Sequence, residues 1–252
     1  MFVNCDASGL EVNCAAFLSQ DKVLMDEIIN KADIHSNNQE RFGFPKGDVG
    51  RLIAKIFVFR LIYGGSAYSY ANDPNFTGVS TSEKYWQKVI DEFYNKYQGV
   101  YNWHIKILQE VTMNKRLVMP TGRQYDFFPS PNYRGEPKWP ETKIKNYPVQ
   151  GLGADVMSII RVDFARKFWN SGMEGKLRVT VHDSVVVDVP SKNVDKTIEL
   201  FYDSFRCMPK NFKSIFGVEY NLPLFCEVKI GNDLKNLEKV KVNVWHDDWS
   251  NC

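Results

Sequence analysis

The 252 residues suffice for one large domain or two modest ones at roughly 150 residues each, and at 44% hydrophobic and 25% charged they exclude a disordered chain. No apolar run approaches the ~20 residues of a membrane helix, and MFVNCDASGLEVN lacks the basic leader and apolar core of a signal peptide. Lys+Arg of 32 against Asp+Glu of 30 leaves a net charge of +2, which excludes a uniformly basic polyanion binder and leaves room for a local basic groove.

In chain order, a short apolar strand ends near Asp6, a turn forms at Ser8-Gly9, and a helix follows. Lys22 to Ala32 is a second helix, with Leu24, Ile28 and Ile29 on one face. Gly43, Pro45, Gly47 and Gly50 mark a loop. Asp48 is the expected N-cap of a helix over Gly50–Tyr63, which carries Ile53, Ile56, Phe57 and Leu61 on one side and stops at Gly64-Gly65. Ser80 and Glu83 fit a capping box ahead of Tyr85, Trp86, Val89, Ile90, Phe93 and Tyr97 at helical spacing. Another helix follows Gly99. Residues 118–148 read as turns and short strands, and Leu152–Trp169 as a helix with Val156, Ile159 or Ile160, Phe164 and Phe168 inward. In KLRVTVHDSVVVDVP the alternation of Leu177, Val179, Val181, Val185, Val187 and Val189 predicts a strand–turn–strand with His182 and Asp183 near its middle. Strand, helices, strand pair, helix and strand in that order indicate an α+β fold rather than a doubly wound parallel sheet.

Cys5, Cys14, Cys207, Cys226 and Cys252 are odd in number and form no CxxC pair, so a reduced intracellular compartment is expected and a zinc site is unsupported. Carboxylates attract more attention. Asp6 ends an apolar strand and Asp183 sits inside a Val-rich hairpin, where an ionised group is costly unless paired. A divalent cation between them removes that cost, and Mg²⁺ takes one or two carboxylates plus substrate phosphates. On spacing alone, two edge carboxylates facing water explain the pattern as well.

Arg51, Lys55, Phe59 and Tyr63 recur every four residues, forming a helical stripe about 18 Å long. Two cations followed by two aromatics suit a nucleoside triphosphate, with the cations on the phosphates and the rings near sugar and base. A solvated cationic turn followed by two core aromatics is the alternative.

Taken together these blocks resemble the polymerase module of family A DNA polymerases, the bacterial polymerase I type, and look closest to its phage replicative branch. DASGLEV at Asp6–Val12 resembles the first palm motif (Asp-x-Ser-x-x-Glu). RLIAKIFVFRLIYGG at Arg51–Gly65 resembles the fingers-helix signature Arg-x3-Lys-x3-Phe/Tyr-x3-Tyr-Gly. VHDS at Val181–Ser184 resembles the last palm motif, usually Val-His-Asp-Glu. DIHSNNQ at Asp33–Gln39, PTGR at Pro120–Arg123 and NYPVQGLGAD at Asn146–Asp155 follow the family's order, and the likeness runs from residue 1 to about 232.

The resemblance implies a polymerase palm, an antiparallel sheet with helices, and a mainly helical fingers subdomain. Residues 1–20 are expected as the first part of the palm, 21–140 as the fingers and 141–252 as the second part of the palm. It implies that Asp6 and Asp183, with the Ala7 carbonyl, hold two Mg²⁺ ions. Arg51, Lys55 and His35 are implied to bind the triphosphate, Phe59 to lie against the sugar and Tyr63 beside the nascent pair. Lys55 also assists the leaving pyrophosphate. Glu11 is implied to block a ribose 2′-OH and pair with Tyr63, Asn146 and Gln150 to face the minor groove or template, and His182 to contact the primer terminus. Arg123 belongs to a basic and aromatic stretch suited to single-stranded template, together with Lys115, Arg116, Arg134, Lys138, Lys143, Lys145, Tyr125, Phe127, Phe128, Tyr133 and Trp139; a solvated loop is the alternative. Ser184 stands where the family usually has Glu, so a third acidic group is missing. Gly9 and Ala7 replace bulkier residues.

Thumb, exonuclease and the first palm segment precede Asp6 in the family, and the chain begins five residues before it. We therefore expect a split viral enzyme of the infected bacterial cytoplasm. This chain supplies fingers and catalytic palm, a second polypeptide supplies thumb and remaining palm, with or without a 3′–5′ exonuclease, and primer-template DNA and dNTP are the other partners, with no membrane. A single-subunit RNA polymerase fragment, which often shows His-Asp-Ser, and a catalytically silent DNA-binding subunit remain as alternatives. A cation at His246, Asp247 and Asp248 is a further reading, against an exposed tail.

Overall fold

The structure is a computed structural model describing residues 1–240; His246, Asp247 and Asp248 lie outside the described residues. In the first strand, β1 (Phe2–Ala7), Val3, Cys5 and Ala7 are buried while Phe2, Asn4 and Asp6 are partly open, the period-2 alternation of a half-buried strand. Ser8-Gly9, with Gly9 at φ +64°, turns the chain into α1 (Leu10–Ser19). The helices α2 (Lys22–Ile29), α3 (Ile34–Arg41), α4 (Asp48–Ile62), α5 (Ala67–Ala71), α6 (Glu83–Lys96) and α7 (Gln98–Asn114) follow. Two small hairpins come next, β2 (Arg116–Val118) with β3 (Gln124–Asp126) and β4 (Ser130–Pro131) with β5 (Pro137–Lys138). Then come α8 (Glu141–Asn170), β6 (Lys176–Val181), β7 (Ser184–Asp188), α9 (Val194–Arg206), α10 (Met208–Phe216), β8 (Cys226–Gly231) and β9 (Glu238–Lys239). No described helix is long and apolar enough to cross a membrane.

The chain divides into two compact units, one formed by Met1–Leu10 with the chain from Gly151 onward and the other by Glu11–Gln150. The first is built on an antiparallel sheet in the order β6-β7-β1-β8-β9. Helix α9 packs on β1 and β8, and Phe201 of α9 stacks on Phe164 of α8 with ring centroids 3.8 Å apart. The expected alternation through 177–189 holds only in part. Val185, Val186 and Val187 of β7 are all buried, whereas Val179 and Val181 of β6 are 41% and 49% exposed. Strand β7 lies inside the sheet and β6 at its edge, with a register shift between Leu177 and Val179. A hydrophobic period identifies a strand and is silent on its place in the sheet.

The second unit is helical around an aromatic core. Phe57 lies 4.9 Å from Tyr70 and 5.9 Å from Trp86, centroid to centroid, and Phe42, Phe44, Phe76 and Phe93 close around them. Buried polar groups clamp α2, α3 and the end of α6. Lys96 Nζ donates to Glu27 Oε1 (2.8 Å) and Asn38 Oδ1 (2.9 Å), and the Tyr97 hydroxyl donates to Glu27 Oε2 (2.6 Å). His104 links α7 to the end of α4, its Nε2 lying 3.1 Å from the Ile62 carbonyl and its Nδ1 3.0 Å from the Tyr94 hydroxyl.

Several local expectations are corrected. Gly47, not Asp48, caps α4, and Asp48 is its first residue, an acid at the positive end of the helix dipole. Ser82, not Ser80, caps α6 by accepting from the Tyr85 N–H, because Ser80 instead accepts from the Ser82 N–H. Ile29 of α2 is exposed. Helix α8 begins at Glu141 rather than Leu152 and runs through Pro148; Ile144 and Val149 are fully buried, and that packing offsets the helix-breaking cost of proline.

Gly50 sits where loop 43–47 lies directly on α4. A β-carbon there would stand 1.6 Å from the Pro45 carbonyl oxygen. The Gly50→Ala variant is therefore expected to lower stability by roughly 1–3 kcal/mol despite the better helix propensity of alanine, read as a fall in the urea unfolding midpoint; a rise in that midpoint contradicts the packing described.

Candidate active site

Each compact unit carries its own set of the candidate residues. In the first, backbone register brings Asp6 to Asp183. Cross-strand pairing sets Asp6 opposite Ser184, and the Ala7 N–H donates to the Asp183 carbonyl at 3.0 Å. His182 and Asp183 form the two-residue turn between β6 and β7. His182 is exposed and has φ +52°, a left-handed backbone that non-glycine residues adopt sparingly and that recurs at functional sites. Ser184 is buried and its Oγ donates to the Val181 carbonyl at 3.0 Å, so this serine closes the hairpin. On the other side of β1, Asp6 pairs with Glu227 of β8. Residues opposite one another in an antiparallel sheet project to one face, so Asp6, Ser184 and Glu227 share the face opposite Val3, Cys5 and Ala7, on which Asp6 and Glu227 are partly exposed. Glu227 is bound by Lys239 and by Lys229 (3.1 Å), which hold its carboxyl below its ordinary range.

In the second unit the stripe on α4 exists as the spacing predicted. Arg51 and Lys55 are exposed and Phe59 is half-buried, with Lys55 Nζ 5.8 Å from the Phe59 ring centroid. His35 of α3 lies against the same ring, centroids 5.9 Å apart. Burial and the cations Arg51 and Lys55 push the His35 imidazole down to about 4, so it is neutral at pH 7, and its Nδ1 is buried without a hydrogen-bond partner. Tyr63 is the C-cap of α4. Burial and the nearby Glu11 carboxylate raise its hydroxyl pKa, opposed by a hydrogen bond with Gln150. Glu11, Tyr63 and Gln150 therefore stand together. Asn146, on the first turns of α8, has a buried Oδ1 with no partner. Arg123 is exposed at the tip of the β2–β3 hairpin, where its carbonyl accepts from the Met119 N–H at 2.8 Å.

The proposed template stretch is sorted by burial. Phe127 is buried, its ring centroid 6.0 Å from that of Tyr147, and is not a stacking platform. Arg116 is engaged bidentately by Asp126, and Lys145 is half-buried beside Glu141. Phe128 and Tyr133 remain 72% and 88% exposed, with the Arg134 guanidinium 5.1 Å from the Tyr133 ring centroid.

Two residues to which sequence reasoning gives no role emerge here. Glu227 is found only through the β1–β8 register. Asp33 lies in the DIHSNNQ block and binds Arg51 through both carboxylate oxygens, at 2.8 and 3.1 Å; its signal in the sequence is that of a helix N-cap alone.

The His35 shift has a definite sign. Its ordinary pKa of 6.5 falls to about 4 in the folded chain, so between those values the unfolded chain takes up a proton that the folded chain refuses, and stability falls as pH drops through that window. His104, also pushed down by burial, acts in the same direction, so a variant is needed to separate them. The His35→Gln variant is expected to lose about 2–3 kcal/mol less stability than the parent between pH 7 and pH 4, measured by denaturant unfolding; identical pH profiles contradict the assignment.

The model of the family "DNA polymerase family A" matches residues 1–236. DNA polymerase I of Caldicellulosiruptor bescii is 25% identical over 243 residues, covering 92% of this chain and 26% of that protein. DNA polymerase I of Pseudomonas aeruginosa is 29% identical over 200 residues, covering 77% and 21%. The chain thus spans about a quarter or less of the length of these curated relatives. Among solved structures, the POL domain of Pol1 from M. smegmatis, in complex with DNA primer-template and dNTP, matches with a TM-score of 0.75 at 20% identity, covering 91% of this chain and 39% of that one, and so shares its fold. With a family match over nearly the whole described chain, this protein belongs to DNA polymerase family A.

Proposed function

We propose that this chain carries the fingers and catalytic palm of a DNA-directed DNA polymerase and transfers deoxynucleotides to a primer 3′-OH under template direction. The observation that carries this reading is the placement of Asp6 opposite Ser184, with the Ala7 N–H on the Asp183 carbonyl, at the end of β1, in a chain whose α4 presents Arg51, Lys55 and Phe59 in one stripe with His35 against it. Family membership supports it, as does the likeness to a polymerase domain complexed with primer-template and dNTP. The unit of Met1–Leu10 with the chain from Gly151 onward is read as palm, and Glu11–Gln150 as fingers.

The described residues hold no group of three or more His, Cys, Asp or Glu disposed to bind a metal. Two carboxylates nevertheless fit Mg²⁺, which keeps water and substrate phosphates in its remaining positions. Asp6, Asp183 and the Ala7 carbonyl would hold two such ions, which when bound activate the 3′-OH and neutralise charge on the phosphates. The chain's own groups do the rest. Arg51 and Lys55 bind the triphosphate, and Lys55 offers a proton to the leaving pyrophosphate as the primer oxygen bonds to the α-phosphorus. Neutral His35, packed against the Phe59 ring, is assigned to the same ligand. Phe59 lies against the sugar. Glu11, beside Tyr63, excludes a 2′-OH by leaving it no room and no partner. Asn146, Gln150, Arg123 and His182 are assigned to primer-template DNA, and the Tyr133–Arg134 tip suits an unpaired template base.

We read the enzyme as a split viral polymerase. Exposed Val179 and Val181 on the edge strand β6 are the surface that a second polypeptide bearing the remaining palm would cover. His-Asp-Ser at 182–184 favours one second reading, a single-subunit RNA polymerase fragment.

Asp6→Asn and Asp183→Asn, assayed by primer extension with the native partner present, are each expected to lower the rate on the order of 10³-fold; unimpaired extension means a silent DNA-binding subunit. The parent is expected to prefer dNTP to rNTP, and the opposite preference decides for the RNA polymerase. Phe59→Tyr is expected to relax discrimination against dideoxynucleotides, scored by termination frequency; unchanged termination removes Phe59 from the sugar site.

A further inference from the structure

Arg51 is not a free cation on α4. Its Nε and Nη2 donate to Asp33 Oδ2 (2.8 Å) and Oδ1 (3.1 Å), a fork against a carboxylate. Asp33 is itself held. As N-cap of α3, its Oδ1 accepts from the Ser36 N–H (3.2 Å) and its Oδ2 from the Ser36 hydroxyl (2.8 Å). The carboxylate plane is thus set by the first turn of α3, the same turn that places His35 against Phe59. A guanidinium has five N–H donors, and the Asp33 contact takes the Nε–Nη2 edge. The Nη1–Nη2 edge is left, which is a second fork of the shape that engages phosphate.

We propose that Asp33 is a positioning residue: it fixes the plane of the Arg51 guanidinium so that its remaining edge is presented, already oriented, to a nucleoside triphosphate. The inference rests on the reading of Arg51 as a triphosphate ligand and deepens it. Two effects of Asp33 oppose each other. Its charge repels phosphate, and its grip removes the freedom that a long side chain otherwise loses on binding. The Asp33 and Arg51 side chains are 46% and 45% exposed, so solvent and salt screen the repulsion, while the geometric restraint is unscreened. Orientation therefore wins, and loss of Asp33 weakens binding.

The test separates the ion pair from the cap. Asparagine still caps a helix and no longer binds a guanidinium as a carboxylate does, whereas glutamate retains the charge and is a poor cap. Binding of dATP with magnesium to the full chain, with the native partner present, on a primer-template whose primer ends in a dideoxynucleotide and whose next template base is T, is measured by calorimetry, beside thermal unfolding. Asp33→Asn is expected to raise the Kd on the order of tenfold with little change in Tm, and Asp33→Glu to lower Tm while keeping the Kd within about threefold of the parent. In the free parent chain the Arg51 Nε–H resonance is expected to be protected from exchange, and in Asp33→Asn unprotected. Equal or tighter binding by Asp33→Asn, or an unprotected Arg51 in the parent, overturns the proposal. Arg51→Ala is the reference: if it binds dATP like the parent, the triphosphate reading of α4 fails and the role of Asp33 with it. If Arg51→Ala weakens binding and Asp33→Asn does not, only the role of Asp33 falls.

Discussion

Everything catalytic in the reading of this chain depends on the antiparallel register between β1 and β7. Asp6 and Asp183 are separated by most of the polypeptide, and the ladder that sets Asp6 opposite Ser184 and ties the Ala7 N–H to the Asp183 carbonyl makes them neighbours. A shift of one residue would turn Asp6 into the buried face now occupied by Val3, Cys5 and Ala7. The cost of burying a carboxylate there and the loss of three apolar contacts both oppose the slip. The hydrophobic pattern of β1 therefore protects the chemistry as well as the core.

The helical unit solves a different problem, how to hold two cations in place on one helix face. Arg51 has a carboxylate on one edge and keeps the other, and Lys55 lies 5.8 Å from the Phe59 ring centroid. His35 is kept neutral by burial and by these same two cations. The underpinning lies further in, where Glu27, Lys96, Tyr97 and Asn38 lock α3 to its neighbours through fully partnered buried groups. Such a network gains its strength from low dielectric and from the absence of unpaired members.

Ser184 follows Asp183 directly and opens β7. The residue has a structural task, closing the turn onto Val181, and the turn keeps Asp183 beside β1. The acidic neighbour of Asp6 on its face of the sheet is Glu227, already neutralised by Lys229 and Lys239.

Local chemistry made much of this legible in advance. The strand–turn–helix around Asp6, the four-residue stripe on α4, the hairpin at His182-Asp183 and the α+β order all follow from side-chain period and from turn residues, which act over a few positions. The motif blocks in their order led to the family. Other features answered to partners distant in sequence, and no local signal carries those. Pro148 is tolerated inside α8 because packing outweighs propensity. Val179 and Val181 face outward because β6 lies at the sheet edge. Phe127 turns inward onto Tyr147, and Asp33 reaches a guanidinium eighteen positions away. The sequence by itself determined the strand–turn–helix at Asp6, the helix carrying the Arg51–Tyr63 stripe, the hairpin at His182-Asp183 and which residues have the right chemistry. Only the tertiary structure decided which carboxylate stands beside which, because register and burial are set by the whole set of contacts at once.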